Sequence, residues 1–595
     1  MAYMKSFVPI PLREGWPGRN LGDPGGVQED WTMGKNVVII GGVACGSKVA
    51  ARLRRLDPEA SITVLERGYF PSYAGCGMPY FLGGVVSDYR HLTSTPVGIE
   101  RDAAFFRKVK HVDMLTRHEA TRIDRERRVV TAIHLESGEE RIFPYDVLVL
   151  SLGAQPVRPN LPGRDLAGVF SLGTLEDALA ISRALEEGTM RRAVVVGSGL
   201  IGLEMTEALK NRGVEVSVVE LLDRPLGTLL DRDFGALVAQ GLERHGVPFF
   251  GGERVVELVG EGGRVATVRT DRRDLPADLV LLAVGVRPSV DLAREAGLTL
   301  GPSGGIMVDE HLRTNDDRIY AGGDCVEVPH ILSGKSVRQP MGSAANRQGR
   351  VIADHIAGLP GRYAGVAGTA IARIFDLTAA RTGLDEAGAR EAGFDPVGVT
   401  VVNSDMPHFM PGSALLALRL VADRSTRRVL GGQVVGLGRG DKRLDALVAS
   451  VTGKITVDDL ADLDLGYAPP FSTALDPLTH GANVLRNKLD GLMDSWSPAE
   501  LLDRKERGEP FLLVDVRTPD EVRLQGRLPF DDQVNIPLGA LWEKGDTLPG
   551  DRTLVVFCKI SVRGWDAYGI LRNKGFGRVV LLEGGTAGWP YGLKG

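Results

Sequence analysis

The chain has 595 residues, 43% of them hydrophobic and 25% charged, with a formal net charge of −5. That length suits about three to five domains at ~100–200 residues each. The acidic balance argues against a nucleic-acid partner, and four scattered cysteines are too few for a disulfide scaffold and fit a reducing cytoplasm.

Residues 1–34 are rich in Gly, Pro and charge, with no apolar stretch, and read as a flexible extension and not as a secretory signal. Pattern begins at Asn36: "NVVIIGGVACGSKVAARLRRL" reads as strand, glycine turn and helix, and the strand-like "SITVLE" ends on Glu66. Such glycines, here Gly41 and Gly46, let the backbone approach a pyrophosphate at a helix N-terminus, and Glu66 would accept hydrogen bonds from a ribose. Val43 stands where the middle glycine is expected. Next comes "PSYAGCGMPYFLGG" (71–84) with the solitary Cys76. There is no C-x-x-C, so this thiol has no neighbour to pair with; it can cycle through a mixed disulfide, a persulfide or a sulfenic acid. A dipole end nearby would favour the thiolate, and lowering a thiol pKa from about 8.5 to about 6.5 raises the thiolate fraction at pH 7.5 roughly tenfold.

The second cradle is cleaner. "AVVVGSGLIGLEMTEALKNRGVEVSVVE" carries Gly197, Gly199 and Gly202 in a full G-x-G-x-x-G, with Glu220 ending the next strand. An acid there holds a ribose 2′-OH and repels a 2′-phosphate, so NADH is favoured over NADPH; nearby Arg224 tempers that preference. The apolar runs "VLVLSLGA" and "LVLLAVGV" are about half of a bilayer span, which argues against a membrane protein. "RIYAGGDCVEV" ends a strand on glycines and Asp324, an acid suited to a polar cofactor tail, with Cys325 as a buried small residue beside it. No Cys/His cluster has metal-ligand spacing, so no metal is expected. Beyond "GYAPPFSTALDPL", which holds Tyr467, the character changes. "FLLVDVRTPDEV" and "TLVVFCKISVRGWDAYGILRNKGF" place Cys558 after a strand, in a six-residue loop closing at Arg563 before a helix. Converging backbone N–H groups and Arg563 would stabilise an anion on that sulfur, with Lys559 and Ser561 tuning it.

The two cradles with "AGGDC" resemble the two-dinucleotide flavoprotein disulfide reductases, and "YAGCGMPYFLGG" resembles their single-cysteine branch: coenzyme A-disulfide reductases, NADH-dependent persulfide reductases, NADH oxidases and peroxidases. The C-terminal loop, "DVRTPDE", "NIPLGAL" and "LEGGTAGWP" resemble a rhodanese domain. The implied fold class is α/β: two Rossmann-like dinucleotide-binding domains, an α+β dimerisation domain and a C-terminal rhodanese α/β domain. The expected boundaries are 35–150 and 277–350 for the FAD-binding parts, 151–276 for the NAD-binding domain, 351–480 for dimerisation, 481–496 for a linker and 497–595 for rhodanese. The resemblance implies FAD held at Gly41, Gly46, Glu66 and Asp324, NADH at Gly197, Gly199, Gly202 and Glu220, and CoA as substrate or carrier. It gives Cys76 the flavin-side redox role, Cys558 a sulfane sulfur and Tyr467 a proton donation across a homodimer. Arg54, Arg55 and Arg347 are candidate partners for CoA phosphates. "PHFMPG" departs from the family, with Phe409 and Met410 where tyrosines are expected; His408 reads as an exposed loop residue. The implied activity is NADH-dependent reduction of CoA persulfide, polysulfide or CoA disulfide by a cytoplasmic homodimer. An NADH oxidase or peroxidase, or a redox-sensing sulfur-trafficking protein, are the alternatives.

Overall fold

The computed structural model describes residues 34–594, so the extension expected over 1–34 lies, apart from Gly34, outside the described residues. Two parallel five-stranded sheets form the first half. In one, β1 (Asn36–Ile40) lies between β2 (Ser61–Glu66) and β3 (Val147–Leu150), and Ile319–Ala321 and Asp113–Thr116 form the edges. "VVII" and "VLVL" are buried throughout, because helices and the antiparallel strands of residues 118–144 pack against the sheet and leave these strand residues no water. Helix α1 (Cys45–Leu56) connects β1 to β2.

The second sheet repeats the plan. β4 (Arg192–Val196) pairs with β5 (Glu215–Glu220) and with β6 (Leu279–Leu282), and α2 (Leu200–Asn211) joins the first two. Helix α3 (Arg232–Arg244) follows β5. The chain then returns to the first sheet through Ile319–Ala321 and enters α4 (Gly342–Ile356), which packs against α1.

An antiparallel sheet comes next, in the order 370–374, 377–383, 429–436, 415–423, 396–404. Its last strand, β7 (Pro396–Ser404), pairs along its whole length with β8 (Leu415–Asp423). Helix α5 (Pro477–Leu489) lies on these strands with Leu478, Ala482 and Leu485 fully buried. The expected 481–496 linker is therefore not a free tether: its first half is the body of a packed helix. A parallel sheet closes the chain, with β9 (Phe511–Asp515) and β10 (Thr553–Phe557) at its centre, joined by parallel pairing to Val579–Leu582. Helices α6 (Pro519–Gln525) and α7 (Val562–Asn573) flank it.

Candidate functional site

At the end of β1 the turn needs glycine for steric reasons. Gly41 has φ +98°, and a Cβ there would come within 2.1 Å of the Ser151 carbonyl oxygen. A Cβ on Gly46 would lie 1.9 Å from the Gly41 oxygen, so α1 can start close to β1 only without one. Glu66 is buried at the tip of β2 and accepts from the N–H groups of Gly42 (2.6 Å) and Gly68 (2.7 Å). Burial raises its pKa, against the pull of those two donors. Across the cleft, Asp324 follows the edge strand, and burial alone pushes its carboxyl up to about 6. A carboxyl enclosed without local donors is suited to a ligand that brings hydroxyl or N–H groups, which fits FAD.

The second cradle repeats the geometry. Gly197 has φ +103°, and a Cβ on Gly202 would meet the Gly197 oxygen at 2.1 Å. Gly199 faces open space, with nothing within 4 Å of its absent Cβ, so the loop offers bare backbone to a pyrophosphate, as NADH requires. Glu220 accepts from Ser198 N (2.7 Å), Ser198 Oγ (2.8 Å) and Leu222 N (3.0 Å). Arg224 is committed elsewhere: it donates to Asp223 (2.7 Å) and to the carbonyls of Leu230 and Gly227 (both 3.3 Å).

Cys76 sits in a single 3-10 turn, Gly75–Gly77, and is the exposed cysteine; Cys45, Cys325 and Cys558 are buried. A Cβ on Gly342, the first residue of α4, would lie 3.9 Å from its Sγ, and the Gly342 N–H donates to the sulfur. The helix end is thus aimed at the thiol and favours the thiolate, while the enclosing residues work the other way. Enclosure raises the thiol pKa, the carboxylates of Glu204 and Asp324 add to it, and the Gly342 N–H does not outweigh them. Glu204 was not singled out in the sequence. It lies on α2, in the other dinucleotide domain, and burial followed by Glu207 pushes it up to about 7. No sequence spacing relates it to Cys76; only packing of the two domains does. Tyr80, one turn beyond Cys76, is raised by burial and then by Glu204.

Arg54 does not serve as a phosphate partner. Its guanidinium donates to the carbonyls of Ala60 (2.6 Å), Pro58 (2.7 Å) and His111 (2.8 Å), so it ties the end of α1 to its neighbours. Arg55 and Arg347 are exposed, the latter over the Tyr363 ring at 5.5 Å. Tyr467 is 54% exposed, with Phe471 (56%) and Phe409 (66%) similarly open. The Tyr467 hydroxyl has no partner among the described residues. Its segment is anchored from behind: fully buried Arg443 pairs with Asp476 (2.9 Å) and Ser472 (3.2 Å), and Lys442 donates to the Gly466 carbonyl (3.1 Å).

Cys558 follows β10 and is 1% exposed. Thr586 N donates to its carbonyl (3.0 Å) and Ala587 N to that of Lys559 (2.8 Å), which pins the loop from behind. Arg563 closes the loop and is held bidentately by Glu521 at 2.6 and 2.8 Å. That pairing brings the Glu521 carboxyl down to about 2. Glu521 belongs to the "DVRTPDE" run, where no local spacing ties it to Arg563. Ser561 takes φ +71° and donates its hydroxyl to the Leu582 carbonyl (2.8 Å), so it staples the loop and does not tune an anion. Lys559 is exposed.

The Cys558 domain is bonded to the rest of the chain. Tyr591 donates to Asp233 (2.6 Å), Arg232 pairs with Asp503 (2.7 Å), and Gln240 donates to the Pro590 carbonyl (2.9 Å), all from α3. Glu583, 3% exposed, accepts from Ser495 Oγ (2.7 Å), Thr400 N (2.8 Å) and Lys488 Nζ (3.0 Å). Arg419 reaches Glu583 (3.8 Å), Asp231 (2.8 Å) and Glu386, and so joins three domains at one guanidinium. Among the described residues no helix is long and apolar enough to cross a membrane, and no group of three potential metal ligands occurs.

Comparison with known proteins follows the same divisions. The family model for pyridine nucleotide-disulphide oxidoreductases matches residues 35–349, its dimerisation domain 369–478, and a rhodanese-like domain 497–590. An NAD(P)H sulfur oxidoreductase (CoA-dependent) of Pyrococcus furiosus is 35% identical over 452 residues, covering 76% of this chain and 99% of that protein. An NADH oxidase of Methanocaldococcus jannaschii is 32% identical over 456 residues, with the same coverage. The solved structure of an NAD-dependent persulfide reductase from A. fulgidus is 42% identical with a TM-score of 0.88, covering 93% of this chain and 100% of that one.

Proposed function

Because this chain belongs to the pyridine nucleotide-disulphide oxidoreductase family and carries a rhodanese-like domain, we propose that it is an FAD- and NADH-dependent reductase of CoA persulfide, polysulfide or CoA disulfide. The observation that carries the reading is one exposed thiol, Cys76, facing the start of α4, in the same chain as a second sulfur in the Cys558 loop.

FAD bound at Gly41, Gly46, Glu66 and Asp324 would supply the two electrons that return the sulfur at Cys76 to the thiol state. The Cys76 thiolate attacks the outer sulfur of a thiol persulfide; the donor S–S bond breaks, the thiol leaves, and sulfide is released on reduction. The N–H of Gly342 favours charge at Sγ, against burial, Glu204 and Asp324, which raise the thiol pKa. Tyr467 of a second subunit protonates the leaving thiolate; its exposure and the dimerisation-domain match support a homodimer. The committed donors of Arg224 and the position of Glu220 favour NADH over NADPH. Arg55 and Arg347 are the cations left for CoA phosphates. We read the protein as cytoplasmic.

Cys76→Ser should abolish NADH-dependent sulfide release from CoA persulfide while FAD stays bound; full turnover in that variant would overturn the reading. Cys558→Ser should remove sulfurtransfer but spare CoA-disulfide reduction. An oxidase cycling Cys76 through a sulfenic acid leaves the Cys558 loop without a task. NADH consumption in air, with peroxide, and anaerobically with CoA persulfide separates the two.

A further inference from the structure

The Cys558 loop is built to face an anion, yet its main cation is already neutralised. Each terminal nitrogen of Arg563 donates one N–H to a carboxylate oxygen of Glu521, at 2.8 and 2.6 Å. Glu521 is itself fixed, because its Oε2 also accepts from Thr518 N (2.9 Å) and Thr518 Oγ (3.1 Å) at the start of α6. The pair lies at the rim of the loop, with 33% and 28% of the two side chains exposed, where an incoming donor would meet it. Glu521 is held down to about 2 and Arg563 is raised, so both groups are charged at any working pH and their sum is zero. Nearby pairs cancel in the same way: Arg517 lies bidentate on Asp515 in the buried "DVR" run, and Glu583 behind the loop is met by Lys488. Ser561 turns its hydroxyl away, which leaves Lys559 as the exposed cation of the loop.

We propose that Glu521 sets the donor specificity of the Cys558 loop by cancelling the charge of Arg563, so that the loop takes sulfane sulfur from thiol persulfides and not from dianionic thiosulfate. The inference rests on the reading of Cys558 as a sulfur carrier. In the favoured transfer the Cys558 thiolate attacks the outer sulfur of R–S–SH. A bond forms between Sγ and that sulfur, the donor S–S bond breaks, and the R–S group leaves with the bonding pair and takes the proton. The products are R–SH and a Cys558 persulfide anion, with no net oxidation or reduction. The reacting end of such a donor carries at most one negative charge. Thiosulfate brings two to a thiolate, and a guanidinium whose charge is cancelled by Glu521 offers little net attraction to them.

The test compares thiosulfate with glutathione persulfide as donors to the full-length protein, with cyanide as acceptor. In Glu521→Gln the ratio of kcat/KM for thiosulfate to that for the persulfide should rise about fivefold, the factor of one exposed charge interaction. The gain should shrink as salt is raised, since the freed attraction is screened. Glu521→Asp keeps the charge and should keep the wild-type ratio. An unchanged ratio in Glu521→Gln, a salt-independent gain, or the same gain in Glu521→Asp overturns the proposal. Intact mass separates it from the reading beneath it: after incubation with the persulfide, the wild-type protein should gain a sulfur atom that Cys558→Ser lacks. No gain overturns the carrier reading and the proposal together; a gain with an unchanged ratio overturns the proposal alone.

Discussion

Cys76 shows how one side chain can be governed by residues far away in sequence. Its thiol is raised by enclosure, then by Glu204 and Asp324, while the Gly342 N–H and its own backbone pull the other way. Removing the Glu204 charge removes a cause that raises the thiol pKa, so Glu204→Gln should shift the pH profile of Cys76 alkylation toward lower pH. The measurement is the iodoacetamide rate against pH, and a profile that moves up or stays put contradicts this account. The wild-type rate should climb with pH, because the thiolate is the reactive form and its population grows as the proton leaves. The solitary thiol, Glu220 and the Cys558 loop were legible in the sequence, since each sits at a fixed offset inside one strand–turn–helix unit. Glu204, the lock of Glu521 on Arg563 and the structural use of Arg54 were not. Each is decided by which element a neighbouring element packs against, and local spacing carries none of that.

Elements explain why the cradles read so clearly. A strand that must turn into a helix within a few residues brings backbone against backbone, and glycine is the residue that allows it. At Gly202 the obstacle is the Gly197 oxygen, 2.1 Å from where a Cβ would be, and backbone cannot step aside as a side chain can. Gly202→Ala should therefore raise the Kd for NADH at least about tenfold, a displacement cost of about 1.4 kcal/mol or more, with FAD content unchanged. Titration of the purified holoenzyme with NADH measures it, and wild-type affinity would count against the packing argument. Val43 departs from the glycine pattern without harm to the turn, since Gly41 and Gly46 occupy the two crowded positions there. The supposed linker was misjudged for a related reason. "PLTHGANVLRNKL" mixes glycine and polar residues, yet its apolar residues recur at helical spacing and find the strands β7 and β8 to cover.

At the scale of the whole molecule, the Cys558 domain is held by a charge hub. Arg419 spans Asp231, Glu386 and Glu583, and the last of these is almost fully buried. Replacing Arg419 by Met leaves Asp231, Glu386 and Glu583 without their shared cation in a low-dielectric interface, with Lys488 the remaining ion-pair partner of Glu583. Arg419→Met should lower the unfolding midpoint, and limited proteolysis should then release a fragment starting near residue 490. Release at the wild-type rate would mean that α3 and its Tyr591 and Asp503 contacts suffice. The four-part architecture was legible from motifs, whereas the docking between its parts was not, because the residues that form it lie outside every motif.

The burial of Cys558 also concerns time. With 1% of its surface open, a sulfur atom carried there is beyond the reach of dilute oxidants and stray thiols. How long such an atom persists is then set by how often the loop breathes, and not by the composition of the surrounding solution. The exposed Cys76 has no such shelter, so under the proposed function a sulfur atom held there would be open to the solution from which one at Cys558 is screened.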